Sequence, residues 1–189
     1  LLHSLIGLWR QEPALRRATL TQALLFASFS AFWTVLAFYL ADPAYGLGAE
    51  VAGLFGVIGV AGVVAAPLAG RMADRLGARP VVLVGTLLAV LAWILFETWL
   101  SLVGLALGVI LLDLGVQSAL VAHQQHIYGL RAEARGRVNT LFMTGMFLGG
   151  TLGSSLAMLA WQQGSWVDVG WAGLALALTH PFLIRLARR

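Results

Sequence analysis

The chain has 189 residues, of which 60% are hydrophobic and only 11% are charged, and its mean hydropathy is +0.87. A soluble domain of this size cannot bury so much apolar surface, so the composition excludes that class and indicates a membrane protein. The formal net charge is +4 and there is no cysteine, which excludes disulfide and zinc–thiolate chemistry.

The first segment, residues 1–12, begins without an initiator methionine, which favours the interpretation that the chain is a fragment or a processed piece. Its apolar residues repeat at helical spacing, at Leu2, Leu5, Ile6 and Trp9. This pattern predicts a short linker helix that lies in the membrane interface. Pro13 then begins a new helix, at a position where its missing N–H costs little.

Six long apolar runs follow in residues 13–189, each near the length of about 20 residues that a helix needs to cross a bilayer. The predicted spans are about 14–40, 49–70, 79–96, 100–122, 137–161 and 169–184. Between spans four and five we expect a polar link from His123 to Arg135. The sequence therefore predicts an all-α membrane protein with six transmembrane helices.

Arginine residues predict the orientation, because all of them lie in segments on one side of the spans. They are Arg10, Arg16, Arg17, Arg71, Arg75, Arg79, Arg131, Arg135, Arg137, Arg185, Arg188 and Arg189. The charged residues of the opposite segments are all acidic. Four tryptophans are expected there as an aromatic belt, namely Trp99, Trp161, Trp166 and Trp171. The positive-inside rule then predicts that both termini are cytoplasmic. The isoelectric point near 10.7 is explained by topology and requires no nucleic-acid partner.

Glycine residues recur at helical spacing on three of the spans. They are Gly53, Gly56, Gly59 and Gly62 on span two, Gly104 and Gly108 on span four, and Gly145, Gly149 and Gly153 on span five. Small residues in such stripes allow helix backbones to approach closely in lipid. The stripes therefore predict helix–helix contacts.

The segment 70–80 separates spans two and three and is predicted to be a short loop at the membrane face. It resembles the signature loop of the major facilitator superfamily, which reads roughly Gly-x-Leu-Ala-Asp-Arg-x-Gly-Arg-Lys. The matching residues are Gly70, Asp74, Arg75, Gly77 and Arg79, while Met72 and Ala78 depart from the pattern. The alternative interpretation is an ordinary positively charged loop.

Four further stretches, 113–117, 123–128, 135–140 and 147–154, are similar to the carboxy-terminal half of a bacterial branch of that superfamily. Members of this branch are drug- or sugar-type efflux permeases, usually proton-coupled. The resemblance implies two three-helix repeats that form half of a twelve-helix carrier in a bacterial inner membrane. The amino-terminal six-helix half of the same transporter would be its partner, and no cofactor is expected.

Asp113 is the carboxylate that falls inside a predicted span, where a charge requires a partner or an aqueous cavity. Two interpretations stay open. Asp113 is either a proton-titrating or cation-binding site, or it forms a salt bridge that locks the cytoplasmic helix ends. Its partner would be Arg71, Arg79 or Arg137. The salt bridge is favoured because Asp113 is expected nearer the cytoplasmic face, at a depth close to these arginines.

Residues with polar or aromatic side chains at mid-membrane positions are candidates for lining a substrate cavity. They are Phe29, Trp33, Thr34, Gln117 and Thr144, and Trp33 offers a face for a ring or a cation. His123 and His126 have no third metal ligand near them in sequence, so hydrogen bonding at the membrane interface is the favoured role for both.

The resemblance implies a secondary active transporter that couples the efflux of small organic molecules to proton entry by alternating access. A non-transporting membrane scaffold or receptor-like subunit with the same fold is the alternative. The spans contain no nucleophile–base pair or metal set, which argues against an enzyme.

Overall fold

The computed structural model describes residues 2–186, without the side chains at 2, 3, 61, 63, 65, 132 and 180–186. This part of the chain is helical and contains no strand, which confirms the predicted all-α class. The helices are α1 (Leu2–Gln11), α2 (Pro13–Ala41), α3 (Ala49–Leu76), α4 (Ala78–Thr98), α5 (Leu102–Tyr128), α6 (Arg135–Gln163) and α7 (Trp166–Leu186), with a 3₁₀ turn at Ala132–Ala134.

Four helices, α2, α4, α5 and α6, are long and apolar enough to cross a membrane when only the described residues are considered. The described apolar parts of α3 and α7, Ala49–Val60 and Trp166–Thr179, are shorter. The terminal arginines Arg188 and Arg189 lie outside the described residues. The bundle therefore has the helix content of a multi-pass membrane protein.

Gly77 alone separates α3 from α4, so the prediction of a loop over residues 70–80 is wrong. The stretch around Asp74 and Arg75 continues α3, because most of its residues are good helix formers. Gly77 then ends the helix with a φ of +83°, a left-handed conformation that residues with a β-carbon rarely adopt. Ala78 starts α4 immediately after this turn.

The predicted polar link between spans four and five begins too early, since α5 remains helical as far as Tyr128. The buried His123 finds partners on α2 inside the bundle: its Nδ1 lies 3.0 Å from Oε1 of Gln22, and its Nε2 lies 3.1 Å from Oγ1 of Thr21. These contacts satisfy the polar residues without ending the helix. They also confirm the hydrogen bonding predicted for His123, although the residue lies inside the bundle and not at its surface.

The bundle is built from two three-helix repeats, α2–α4 and α5–α7. In the first repeat α2 packs against α6 and α7, and in the second α5 packs against α3 and α4. Helices α2, α3 and α4 correspond to α5, α6 and α7, so the contacts of α2 with α6 and α7 correspond to those of α5 with α3 and α4. Helices α2 and α5 are therefore the central helices of the bundle. The repeats are inverted, because each contains an odd number of helices. We call the end where α2 begins and α5 finishes the arginine-rich end, and the other the acidic end.

The glycine stripe on α6 forms a close contact with α2, as predicted. A β-carbon on Gly149 would collide with the backbone of Ala23, and one on Gly153 with the backbone of Ala27. The stripe on α3 is different: β-carbons built on Gly53 and Gly56 meet nothing within 4 Å among the described atoms. The contact prediction is therefore confirmed for α6, whereas for the first half of the α3 stripe it stays a prediction.

An aromatic cluster fills the core between α2, α4 and α7. Its members are Phe32, Tyr39, Trp93, Phe96 and Trp166. Trp166 stacks on Tyr39 with 3.8 Å between ring centroids and is only 6% exposed. The prediction that Trp166 belongs to an aromatic belt at the membrane edge is therefore wrong, whereas Trp99 and Trp171 are exposed.

One buried hydrogen-bond chain crosses this core. The indole Nε1–H of Trp93 donates to Ser28 Oγ at 2.7 Å, and the Ser28 hydroxyl donates to the carbonyl of Gly173 at 2.9 Å. Both side chains are fully buried. The chain therefore joins α4, α2 and α7 through polar groups that have no access to water.

Replacing Ser28 by Ala is expected to lower the free energy of unfolding by about 1–3 kcal/mol, because the Trp93 N–H loses its acceptor while it stays buried. Thermal unfolding of the full-length protein in detergent measures this. In a Trp93→Phe background the same replacement should cost less, since no indole N–H remains. Equal losses in the two backgrounds would contradict the proposed coupling.

Helix α1 is held on the arginine-rich end by apolar and charged contacts. Leu8 packs in a small cluster with residues of α2, α5 and α6. Arg16 Nη1 donates to the carbonyls of Trp9 and Arg10 at 3.0 and 2.8 Å, which satisfies the last turn of α1. Its location in a membrane interface stays a prediction.

The connection after α5 is tied to the α1–α2 junction by an ion pair. Arg131 Nε donates to Glu12 Oε1 at 2.8 Å, and this is the one ion pair within the described ranges. The hydrogen bond and the negative charge of Glu12 raise the pKa of Arg131, so its guanidinium stays protonated. The pair therefore links the segment that leads into α6 to the α1–α2 junction.

Candidate functional site

Asp113 lies near the middle of α5, eleven residues after Leu102 and fifteen before Tyr128. It is only 5% exposed, and its Oδ2 has no hydrogen-bond partner among the described groups. Along α5, Asp113 lies slightly nearer the acidic end, because α5 extends six residues beyond the predicted span. Its depth relative to the membrane faces stays a prediction. The carboxylate is enclosed at mid-bundle depth.

Two glycines of α3 make room for this carboxylate. A β-carbon on Gly62 would lie 2.7 Å from Cβ of Asp113, and one on Gly59 would lie 3.3 Å from Asp113 Oδ1. The same point at Gly59 is 3.3 Å from the indole ring of Trp33. Residues of α2, α3 and α5 therefore meet here, and this close packing depends on the missing side chains of the glycines.

Trp33 places a hydrogen-bond donor close to Asp113, whose carboxylate is a hydrogen-bond acceptor. The indole Nε1 of Trp33 is buried and, like Asp113 Oδ2, has no partner among the described residues. Buried polar atoms without partners are uncommon in folded proteins. A donor and an acceptor left unsatisfied so close together mark this place as a candidate binding site.

The arginines predicted to pair with Asp113 do not reach it in this conformation. Arg79 lines the same cavity as His126, which is thirteen residues further along α5. At about 1.5 Å per residue, His126 lies roughly 20 Å from Asp113 along α5, which is farther than an arginine side chain reaches. Arg71 and Arg137 are exposed. Among the described residues, the salt bridge favoured from the sequence is therefore not formed.

A row of aromatic side chains, Phe26, Phe29 and Trp33, runs along one face of α2 and ends beside Asp113. Phe26 and Phe29 stack at 5.5 Å between centroids, and Phe29 lies 6.1 Å from Trp33. Phe147 of α6 packs edge-on against Phe26 at 5.6 Å. All three residues of this aromatic row are half-buried. Phe26 was not predicted, although its helical spacing from Phe29 and Trp33 could have revealed it.

The remaining candidate cavity residues are distributed differently. Gln117 lies one turn after Asp113 on α5 and is half-buried. Thr34 Oγ1 lies 2.8 Å from Ser154 Oγ, so Thr34 belongs to the contact between α2 and α6. Thr144 is exposed on α6. The geometry therefore brings Trp33 and Asp113 together, and a cavity role for the other residues stays a prediction.

The residues that match the signature loop gather at the α3–α4 junction. Gly70 is buried and its carbonyl accepts a hydrogen bond from Gln125 Nε2 of α5 at 3.3 Å. Asp74 and Arg75 lie exposed in the last turns of α3. Gly77 forms the turn itself, and Arg79 stands in the first turn of α4. The motif thus surrounds the turn between α3 and α4 at the arginine-rich end.

A second enclosed carboxylate was missed by the sequence analysis. Glu97 is expected in a connection between spans, but it lies in the last turn of α4 and is half-buried. Its side chain fills the space that a β-carbon on Gly170 of α7 would occupy, and its Oε1 has no partner within the described part. Only the packing of α7 on α4 reveals this, because the position is at the edge of an apolar run.

Comparison with known proteins gives a consistent result. Residues 18–188 match the family model described as Major Facilitator Superfamily. The chain is 37% identical over 183 residues to the uncharacterized transporter YgaY of Escherichia coli, in both strain K12 and O157:H7, with 95% of this chain and 46% of each relative covered. It is 35% identical over 184 residues to the probable transporter SCO4007 of Streptomyces coelicolor, with 90% of this chain and 42% of the relative covered.

The chain therefore spans about half the length of the curated relatives that it matches. Its helices form one unit of two inverted three-helix repeats, with the signature-loop residues at the turn between α3 and α4. The family match extends over nearly the whole of this unit. With the fold and the family match in agreement, this chain belongs to the major facilitator superfamily.

Proposed function

We propose that the chain is the carboxy-terminal half of a secondary active transporter that exports small organic molecules in exchange for protons. Membership of the superfamily supports the transporter class, and the relatives are named as transporters. Their double length supports an amino-terminal six-helix partner. In such carriers the substrate binds near the midplane between two halves that alternate in access.

The observation that carries the coupling proposal is the position of Asp113 beside Trp33, with no hydrogen-bond partner for its Oδ2 among the described residues. A carboxylate enclosed at membrane depth is costly while it is charged and has no partner, and both protonation and the binding of a cation remove that cost. A single group that accepts either a proton or a cationic substrate exchanges one for the other. Asp113 is therefore assigned the coupling role, and Arg137 is left as a gating residue at the arginine-rich end.

The aromatic row suggests the class of substrate. Its half-buried rings offer faces on which a flat aromatic cation can stack, and Trp33 is the member nearest to the carboxylate. A lipophilic organic cation would gain from both features. Sugars would need several hydrogen-bonding groups, and this face of α2 supplies few.

In the proposed orientation the arginine-rich end faces the cytoplasm of a bacterial inner membrane, as the positive-inside rule requires. The residues Gly70, Asp74, Arg75, Gly77 and Arg79 would then form a cytoplasmic conformational motif. Gly77 supports this assignment because its left-handed backbone lets α3 and α4 meet with no intervening loop.

Reconstitution of the full-length transporter into proteoliposomes tests the proposal. Ethidium is the transport probe, and pyranine inside the vesicles reports proton movement. Antiport predicts that an ethidium gradient drives protons in the opposite direction and that an imposed pH gradient accelerates ethidium transport. If neither organic cations nor sugars move protons in a panel of probes, the scaffold alternative is favoured.

Replacing Trp33 by Ala is expected to raise the KM for ethidium by about 5- to 30-fold, the value that corresponds to losing one cation–π contact. Phe38 provides a matched control, because it is an aromatic residue of the same helix that is 50% exposed. Phe38→Ala should leave the KM unchanged. A similar KM in both variants would argue against binding at the aromatic row.

A further inference from the structure

His123 joins the two central helices of the bundle, because it contacts two neighbouring residues of α2 from its position on α5. Its Nδ1 lies 3.0 Å from Gln22 Oε1, and its Nε2 lies 3.1 Å from Thr21 Oγ1. All three side chains are buried. The contact is ten residues from Asp113 along α5, roughly 15 Å, so it is separate from the proposed substrate site.

The other hydrogen bonds of Thr21 determine which atom donates in this contact. The hydroxyl oxygen of Thr21 lies 2.8 Å from the carbonyl oxygen of Arg17 and 3.0 Å from that of Ala18, one turn earlier in α2. A carbonyl oxygen only accepts, so the single hydrogen of the hydroxyl points to the backbone. Thr21 Oγ1 therefore presents a lone pair to His123 Nε2.

Gln22 presents a second acceptor to the same ring. Its Oε1 faces His123 Nδ1, and its Nε2 has no partner among the described residues, so the contact through Oε1 is the one that positions this amide. Both ring nitrogens of His123 thus face acceptors. Neutral imidazole has one N–H and satisfies one of them, whereas imidazolium has two N–H groups and satisfies both.

We propose that His123 is a proton-binding site whose imidazolium form holds α2 and α5 together. Protons reach it through a cavity of about 570 Å³ at the arginine-rich end, because Thr21 and His123 are both part of its lining. This cationic cavity lies between the start of α2, the α3–α4 junction and the end of α5. The site takes up a proton whether or not Asp113 has the coupling role proposed above.

The charged and titratable groups that share this cavity with His123 are Arg17 of α2, Arg79 of α4 and His126 of α5, and the described lining residues include no carboxylate. On the side of α6 the ring packs edge-on against Phe142, which does not titrate. The arginines oppose a further positive charge, and the two acceptors favour it. The proton is therefore held by directional hydrogen bonds without a carboxylate counter-ion in the lining, which allows it to leave as the pH rises.

Nitrogen-15 NMR of the full-length transporter with labelled histidine tests the protonation state directly. An imidazolium ring gives signals from two protonated nitrogens, whereas a neutral ring gives one protonated and one unprotonated nitrogen. Comparison with His123→Gln identifies the signals of His123. We expect two protonated nitrogens at about pH 6 and the loss of one proton as the pH is raised. A neutral His123 ring at about pH 6 would overturn the proposal.

The pH dependence of thermal unfolding is a second test. Because the folded protein binds this proton more tightly than the unfolded chain does, the stability that it adds is complete below about pH 6.5 and is lost as the pH rises. Thr21→Val keeps the shape and removes one acceptor, so it should lower the unfolding temperature by about 2–6 °C at about pH 6 and by less at about pH 8. An equal loss at both pH values would count against a charged ring.

The matched control for this test is His126→Gln, because His126 is an exposed histidine of the same helix and lines the same cavity. This variant should keep the decrease of the unfolding temperature with rising pH. If it abolished that decrease, the proton would be assigned to His126 and the proposal would fail.

Two variants of Gln22 distinguish the two orientations of its amide. Gln22→Glu keeps an acceptor and adds a negative charge beside the ring, whereas Gln22→Met keeps the length and removes the acceptor. At about pH 6 an imidazolium predicts that the Glu variant unfolds at the wild-type temperature or above it, and the Met variant below it. The reverse order would mean that Nε2 of Gln22 donates to a neutral ring, which contradicts the proposal. None of these measurements depends on transport, so they stand apart from a failure of the proposed function.

Discussion

Replacing Asp113 by Asn is expected to abolish proton-coupled transport while the protein unfolds at the same temperature or a higher one. Asn has the same shape but cannot exchange a proton or neutralise a cation, so coupling is lost. The replacement should not lower the stability of the fold, because the Oδ2 of Asp113 makes no hydrogen bond with described residues that could be broken. Pyranine-loaded proteoliposomes report the coupling, and thermal unfolding reports the stability.

Glu97→Gln is the control for this experiment, since Glu97 is half-buried and, like Asp113, has a carboxylate oxygen without a hydrogen-bond partner among the described residues. It lies at the acidic end of α4, away from the aromatic row, so its replacement should preserve the pH dependence of ethidium flux. Survival of the flux and of its pH dependence in Asp113→Asn would refute a coupling role. A large drop in unfolding temperature would instead indicate a structural ion pair.

Gly153→Ala should produce the largest loss of stability among single methyl additions on α6. Its β-carbon would collide with the backbone carbonyl of Ala27 on α2, and backbone atoms cannot move aside as a flexible side chain can. We expect the free energy of unfolding to fall by about 1–3 kcal/mol or more, as for other overpacked contacts. The yield of monodisperse protein and its thermal unfolding are the measurements.

Gly136 is a matched position on the same helix, because a β-carbon built there meets no described atom within 4 Å. Gly136→Ala should leave stability unchanged or raise it slightly, since Ala favours the helix by up to about 1 kcal/mol relative to Gly. The two variants are therefore expected to differ in sign. Equal destabilisation would mean that the α2–α6 crossing does not require its glycines.

Much of the fold could be predicted from the sequence because the signals are local. Long apolar runs specify membrane-spanning helices without reference to their neighbours, and the stripe ending at Gly153 marks a close contact whatever the partner is. The resemblance of the segment around Gly70 and Asp74 to a signature loop likewise depended on adjacent residues alone, and the family match confirmed the superfamily.

Only part of the candidate site could be predicted from such local signals. Asp113 stands out in the sequence as a charge within an apolar run, but its choice of partner depends on how far each helix extends. Helix α5 continues to Tyr128 because His123 meets Thr21 and Gln22, which lie about a hundred residues away in the chain. That extension separates Asp113 from the arginines and leaves it beside Trp33 instead.

The contrast between local sequence signals and the packing of helices also explains the other differences between the predicted and the observed structure. Hydropathy and helix propensity describe neighbours along the chain, so they determine which segments are helical and which end of the bundle carries the arginines. They contain no information on the rotation and register of one helix against another. Packing decides that Trp166 is buried against Tyr39, that Glu97 fills the space at Gly170, and that the cationic cavity forms where three helix ends meet.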